Sequence, residues 1–181
     1  MNQSDCLLQK KINIQLIIND KNLAQICNMV NIEMASMITM VVIIFEDKSE
    51  VIGCNNTEYI GSYAKSDSFC QHMLMTGIPL LVNNPQADIK FANVPFVKQV
   101  GFKFYLSVPL MSRDDYPIGS LCTIGSDTKI VSISQYSLMR KMSDTIMTIM
   151  YNVMRHNTKV KENIESLDST LDDLTLSQEV G

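Results

Sequence analysis

The residues best suited to chemistry in this chain are its thiols and imidazoles. There are five cysteines and two histidines in 181 residues. Cys70 and His72 stand two apart in Ser68-Phe69-Cys70-Gln71-His72, the types that make a nucleophile with its base or two ligands of a metal. Helix geometry opposes both uses. Neighbours on a helix turn about 100° apart, so residues two apart diverge by about 200° and cannot converge on one ion or one proton. The plainer reading is a small buried cysteine beside a histidine turned to solvent or to a loop carbonyl. Cys122 sits in a β-branched, glycine-punctuated run that reads as a strand, where a free cysteine is most often core. Cys6, Cys27, Cys54, Cys70 and Cys122 include no CxxC spacing, so neither a disulfide framework nor a zinc knuckle is expected. The sequence also lacks GxGxxG after a strand, a Walker A loop, HExxH and GxSxG. With only His72 and His156, acid–base catalysis by histidine has few players. The expectation is a protein that is not an enzyme, with no catalytic residues, no metal and no identified cofactor.

Elements must place these groups. Phe102, Phe104, Leu106, Val108 and Leu110 alternate with Lys103, Tyr105, Ser107 and Pro109, the period of a strand with two unlike faces. A polar turn, Ser112-Arg113-Asp114-Asp115-Tyr116-Pro117, leads to a second strand, Ile118–Ile124, in which Cys122 shares parity with Ile118, Ser120 and Ile124. Ile38–Phe45 is apolar without alternation, as in a central strand buried on both faces. Glu50–Asn55 reads as its hairpin partner, 55–65 as loop, and Ile78–Val82 as a further strand. Asp20 is a cap for a helix over 20–36 carrying Leu23, Ile26, Cys27, Val30 and Met34 at helical spacing. Ser66-Asp67-Ser68 supplies cap oxygens for a short helix from Phe69 to Met75, ended by Gly77. Residues 83–98 form a long connection with helical turns at 85–89 and 92–98. Ser134 is read as the cap of a helix over 135–158. Along it Met139, Met142, Ile146, Ile149 and Val153 follow the 3-4 spacing of a coiled-coil seam and are the candidate dimer interface.

Several of these stretches resemble one family. Ser68-Phe69-Cys70-Gln71-His72, Pro79-Leu80-Leu81-Val82, the connection Asn84 to Val97, Gly101-Phe102-Lys103-Phe104-Tyr105 with Pro109-Leu110, and Gly119-Ser120-Leu121-Cys122 are similar to motifs of bacterial GAF domains, in the same order. The resemblance implies an α/β (α+β) fold. It has a central, mainly antiparallel sheet of five or six strands, helices on one face, and on the other a pocket covered by loops and short helices. It divides the chain into an arm over 1–19, a domain over 20–158 and an acidic amphipathic tail over 159–181.

The resemblance also implies a site and a role. Phe69 and Cys70 fall on the pocket wall, Asp88 and Phe91 in its cover, and Tyr105, Ser107 and Cys122 on the facing strands. Tyr105 is preferred to Phe104 because a buried hydroxyl needs a partner. Asp88 has a competing use in stabilising its own turn. The expected function is small-molecule sensing, passed through terminal helices to a dimer mate or a separate output protein. The alternatives are an interaction module whose pocket is filled by its own side chains, and a thiol enzyme using Cys70 or Cys122. A net charge of −4 gives no electrostatic footprint for nucleic acid or an anionic membrane. No signal-peptide pattern or spanning segment is read, so a cytoplasmic protein, most simply a homodimer, is expected.

Overall fold

The computed structural model describes residues 14–18, 20–65 and 69–178, with backbone alone at 161, 165 and 167–178. Six strands form one antiparallel sheet in the order β3-β2-β1-β6-β5-β4. They are β1 (Ile38–Ile44), β2 (Lys48–Cys54), β3 (Gly61–Ala64), β4 (Leu80–Asn83), β5 (Phe104–Met111) and β6 (Pro117–Gly125). Four helices accompany them: α1 (Lys21–Glu33), α2 (Cys70–Thr76), α3 (Pro95–Val100) and α4 (Ile133–Gln178). The mixed α/β class and the predicted hairpin of 102–111 with 118–125 hold, since β5 and β6 pair from Phe104↔Gly125 to Met111↔Pro117.

Every residue of β1 is buried, because the sheet is covered on both faces. Its alternate residues serve two separate cores. Val41 and Ile43 join Leu23, Val30, Leu106, Leu121, Met139 and Ile146 beneath α1 and α4. Ile38, Met40, Val42 and Ile44 join Phe69, Cys70, Phe91, Phe102, Tyr105 and Cys122 beneath α2, α3 and the 84–94 connection. A strand alternating at period two feeds both layers only when each of its faces is covered, which is why β1 reads as a uniform apolar run.

Helix ends follow local chemistry. The Asp20 carboxylate accepts from the Asn22 N–H at 2.8 Å and caps α1 as expected. Gly77, at φ 65°, ends α2 in the left-handed conformation that glycine adopts without strain. The expected cap oxygens of Ser66, Asp67 and Ser68 lie outside the described residues, as do Cys6 and nearly all of the 1–19 arm. Of that arm, Ile14–Leu16 forms a 3-10 turn and Ile17 is buried in the helix-side core.

Several expectations are revised. The cap of α4 is Ser132, not Ser134: the Ser132 hydroxyl accepts from Gln135 N–H at 3.2 Å while Gln135 Oε1 accepts from Ser132 N–H at 3.1 Å. That helix runs through 178 rather than stopping near 158. Residues 61–64, read as loop, form edge strand β3. The 139–153 seam faces the chain's own sheet. Met139 and Ile146 are wholly buried there, with Met142, Ile149 and Val153 half-buried along its margin. Met139 and Ile146 are thus taken up by the chain's own sheet, whereas Met142, Ile149 and Val153 keep an outward edge. The parity of β6 also breaks at Ile118. The register steps from Leu110↔Gly119 to Met111↔Pro117, so Ile118 is a bulge residue and packs on the helix side, away from Ser120 and Cys122.

Candidate functional site

Between the sheet and its irregular cover lies a cavity of about 240 Å³. Its floor comes from the sheet: Met40 and Val42 of β1, Val51 of β2, Tyr105 of β5 and Cys122 of β6. Phe69 and Cys70 at the start of α2 form one wall. Pro95, Phe96 and Gln99 of α3 form another, with Tyr59, Tyr63 and Ser49 toward β3. Tyr63, Pro95 and Gln99 are exposed, so the cavity grades from a buried floor to an open rim.

Aromatic packing fixes the wall. Phe69 stacks on Phe91 with ring centroids 4.6 Å apart and planes 15° apart. On its other side Phe69 meets Tyr105 at 4.6 Å and Phe102 at 5.6 Å. Phe96 reaches Phe102 at 5.6 Å and Tyr59 edge-on at 6.4 Å. Such contacts add about 0.5–1.5 kcal/mol each to the burial of large apolar faces. They join α2, α3 and the 84–94 connection into one lining.

A small polar cluster sits in this apolar shell. The Ser120 hydroxyl donates to the Cys70 sulfur at 2.9 Å, and the Tyr105 hydroxyl lies 3.4 Å from the same sulfur. Cys122 adjoins Cys70. Its bond to Cys70 and its burial together push the Cys122 thiol well above the ordinary range. Burial, followed by the neighbouring Cys70 and Cys122, likewise holds Tyr105 well above an ordinary phenol. Ser107, on the same face of β5 and paired with Cys122 in register, is buried beside the Tyr105 phenol, where its hydroxyl partly offsets the rise in the Tyr105 pKa. None of the lining residues carries a charge.

Of the seven sequence-derived site residues, Phe69, Cys70, Tyr105 and Cys122 line the cavity. Ser107 lies behind Tyr105 and Cys122, and Phe91 backs Phe69. Asp88 is set apart: its carboxylate accepts from the Lys90 N–H at 2.8 Å, stabilising its own turn, and it does not touch the cavity. His72 turns away from Cys70, edge-on to Phe91 at 5.1 Å. Its Nδ1 is buried with no hydrogen-bond partner among the described residues, and burial, then Lys90, lowers its pKa below the usual 6.5. Sequence reasoning missed Met40 and Val42, hidden in an undifferentiated apolar run, and Tyr59, Tyr63, Phe96 and Gln99. The available signal was aromatic spacing in the two segments read as loop and cover.

Among the described residues no group of three or more histidine, cysteine or acidic side chains is placed to hold a metal. No helix there is long and apolar enough to cross a membrane.

With this geometry in view, the likenesses are consistent. The family model described as GAF domain matches residues 21–148. A type II free methionine-R-sulfoxide reductase from Thermoplasma acidophilum superposes with TM-score 0.60 at 10% identity, covering 74% of this chain and 92% of that one. The phycocyanobilin-bound GAF domain of a cyanobacterial phytochrome gives 0.58 at 15%, covering 86% and 97%. The GAF domain of a two-component sensor histidine kinase from Bacillus halodurans gives 0.57 at 13%, covering 74% and 96%. No curated relative matches the chain.

Proposed function

This chain belongs to the GAF domain family, and from that premise we propose that it is a sensory module. A small molecule enters the cavity and changes how α4 is presented to a partner. One observation carries this reading: successive residues of β5 serve opposite faces. Tyr105 meets the cavity, while Phe104, Leu106, Val108 and Leu110 lie in the core shared with Met139, Ile146 and Met150 of α4. A shift of that strand is felt on both sides. The coupling has further fixed points. Ser143 of α4 donates to the Pro109 carbonyl at 2.5 Å, and the Arg113 N–H donates to the Tyr151 hydroxyl at 3.0 Å.

A ligand acts only through its preference for one arrangement over another. The cover of 84–100, held to the floor by rings, supplies the second arrangement. The readout end is the distal half of α4. At 1.5 Å per residue its 46 residues run about 69 Å, far past the sheet. Val160 and Ile164 are exposed on it, in phase with Leu167, Leu171 and Leu174. In this reading a second copy pairs along 160–174, and a separate output protein reads the pair. The sensor histidine kinase and phytochrome likenesses support signalling as the setting. The buried thiols Cys27, Cys54, Cys70 and Cys122, among the described residues, suit a reducing cytoplasm. The bond to Cys70 and burial raise the Cys122 thiol and make it a poor nucleophile, which weighs against a thiol enzyme acting through Cys122.

Native mass spectrometry of gently purified protein, followed by thermal-shift measurements across a broad compound panel, tests the reading. A stoichiometric bound mass, or a compound that raises Tm and is blocked by Val42→Phe, is the expected result. No bound mass and no shift from any compound leaves the interaction-module alternative, which draws on the exposed Ile78, Leu81 and Ile133 beside β4.

A further inference from the structure

The sensory reading leaves the chemistry of the ligand open, and the lining narrows it. We propose that the cavity takes a neutral, flat bicyclic aromatic compound bearing a carbonyl acceptor, seated on the sheet floor with the carbonyl at Tyr105. This inference rests on the sensory reading and adds the ligand class to it.

Four features of the site carry it. Size comes first: a cavity of about 150 Å³ holds benzene, so the volume here, about 240 Å³, suits roughly ten to twelve heavy atoms by that scale. Shape follows from the rings of Tyr59, Phe69, Phe96 and Tyr105, which line it together with Met40 and Val42. Flat π-faces are matched best by another flat ring, stacked or edge-on.

Charge is the third. The lining holds no Asp, Glu, Lys, Arg or His, and burial opposes an ion brought in without a partner. A carboxylate or phosphate would meet apolar rings and two thiols.

The fourth is an imbalance of donors. Tyr105 is 2% exposed and borders the cavity, yet its hydroxyl lies against sulfur, a weak acceptor. Ser120 gives its proton to that same sulfur, and the Ser107 hydroxyl lies beside the Tyr105 phenol. Three hydroxyls thus crowd two thiols, with no carboxylate, amide or imidazole acceptor supplied by a side chain among them. By contrast the Tyr63 hydroxyl already donates to the Tyr59 carbonyl at 2.9 Å. A ligand carbonyl would give Tyr105 the strong acceptor that sulfur is not. The raised pKa of Tyr105 keeps that proton in place throughout the physiological range.

Three flat bicyclic probes test the assignment by NMR titration of the full chain. Coumarin has the ring system and the carbonyl, naphthalene the rings alone, and 2-naphthoate adds a charge. Coumarin is expected to bind about five- to tenfold tighter than naphthalene, the yield of one good hydrogen bond. Naphthoate is expected to bind at least about tenfold weaker than naphthalene, because its charge has no partner. Tyr105→Phe keeps the ring and should abolish the coumarin advantage while leaving naphthalene unchanged, its fold checked by circular dichroism. Equal binding of coumarin and naphthalene, a coumarin preference that survives Tyr105→Phe, or tightest binding by naphthoate overturns the class. If no probe binds but native mass spectrometry shows another bound compound, the class is wrong and the sensory reading stands. If no probe binds, no mass is carried and no panel compound shifts Tm, both fall.

Discussion

The Tyr105 hydroxyl lies 3.4 Å from the Cys70 sulfur, and both residues are sealed from solvent. This contact joins the sheet floor to the first turn of α2. It is a soft joint, since sulfur is a weak partner for a phenol. Under the proposed function such a joint would hold Tyr105 while the cavity is empty and would yield at little cost to a better acceptor.

The contact has a spectroscopic consequence. Burial and the two thiols raise Tyr105 well above the ordinary phenol value of 10. A folded pKa above the unfolded one stabilises the fold below pH 10, and that contribution is lost as pH rises beyond it. In an alkaline titration followed at 295 nm, Tyr105 should stay silent until the fold opens. Tyr105→Phe should therefore leave the pre-unfolding part of the curve unchanged and shrink only the step at unfolding. A smaller pre-unfolding amplitude in the variant would show that Tyr105 titrates like a surface tyrosine.

The two central strands allow no side chain at one point. A Cβ on Gly119 of β6 would stand 2.1 Å from the Val42 carbonyl oxygen and 3.0 Å from the Ile43 Cα, both backbone atoms of β1. Neither can yield without parting the sheet. Gly119→Ala is expected to lose more than about 3 kcal/mol or to fail to accumulate as folded protein. Gly125→Ala, whose new atom would meet the Phe104 side chain at 3.5 Å, should stay within about 1 kcal/mol by urea denaturation. Similar midpoints for the two would mean that β1 and β6 lie further apart than described here.

These two sites also show what a sequence can disclose. The alternation in 104–111 identified both faces of β5, because period two maps directly onto a pleated strand, but it failed at Phe102, which precedes the strand and packs on the cavity side against Phe69 and Phe96. It put Tyr105 and Phe104 on opposite sides, where they are found. Parity failed at Ile118, since one inserted residue reverses every assignment beyond it and a bulge leaves no mark in composition. Strand β3 was illegible because three of its four residues are exposed and its pairing to β2 is made by backbone groups. Ser132 and Ser134 are equivalent as isolated cap residues. The side chain of Gln135, three positions after Ser132, decides between them. The 3-4 stripe on α4 was real, but spacing says only that a face is apolar. What lies opposite depends on where the chain returns, here the chain's own sheet. The site divided likewise: motif residues at strand and helix starts reached the cavity, whereas Asp88 was spent on its own turn.

Two positions on α4 separate folding from assembly. Ile146 is fully buried under the sheet, and Ile146→Ala is expected to cost about 2–5 kcal/mol at any protein concentration. Ile164 is 53% exposed beyond the sheet. Ile164→Glu should leave the stability of the diluted chain within about 0.5 kcal/mol, as for most surface changes, and should weaken self-association measured by sedimentation equilibrium. A chain that is monomeric at tens of micromolar, or an Ile164→Glu variant that associates as well as the parent, removes the proposed pairing along 160–174.

His72 sets the acid limit of the site. Its ring is held edge-on by Phe91 at 5.1 Å, with a buried Nδ1 that has no hydrogen-bond partner among the described residues, and Lys90 lies near enough to oppose a positive charge. Burial first, and Lys90 second, lower its pKa from 6.5. Below 6.5 the unfolded chain binds a proton that the folded chain refuses. The contribution of His72 to stability is therefore complete above pH 6.5 and is lost as pH falls through the folded pKa. Protonation would also press on Phe91, which backs the Phe69 wall of the cavity, so ligand affinity should fall over the same window. With only His72 and His156 in the chain, their ring protons are easily told apart by NMR. His72 should titrate below 6.5, and Lys90→Met should bring it part of the way back up. His72→Gln should flatten the decline in urea midpoint between pH 6.5 and pH 5.5 relative to the parent. A His72 that titrates at 6.5 or above would mean that its ring is solvated and that α2 does not seal the pocket as described.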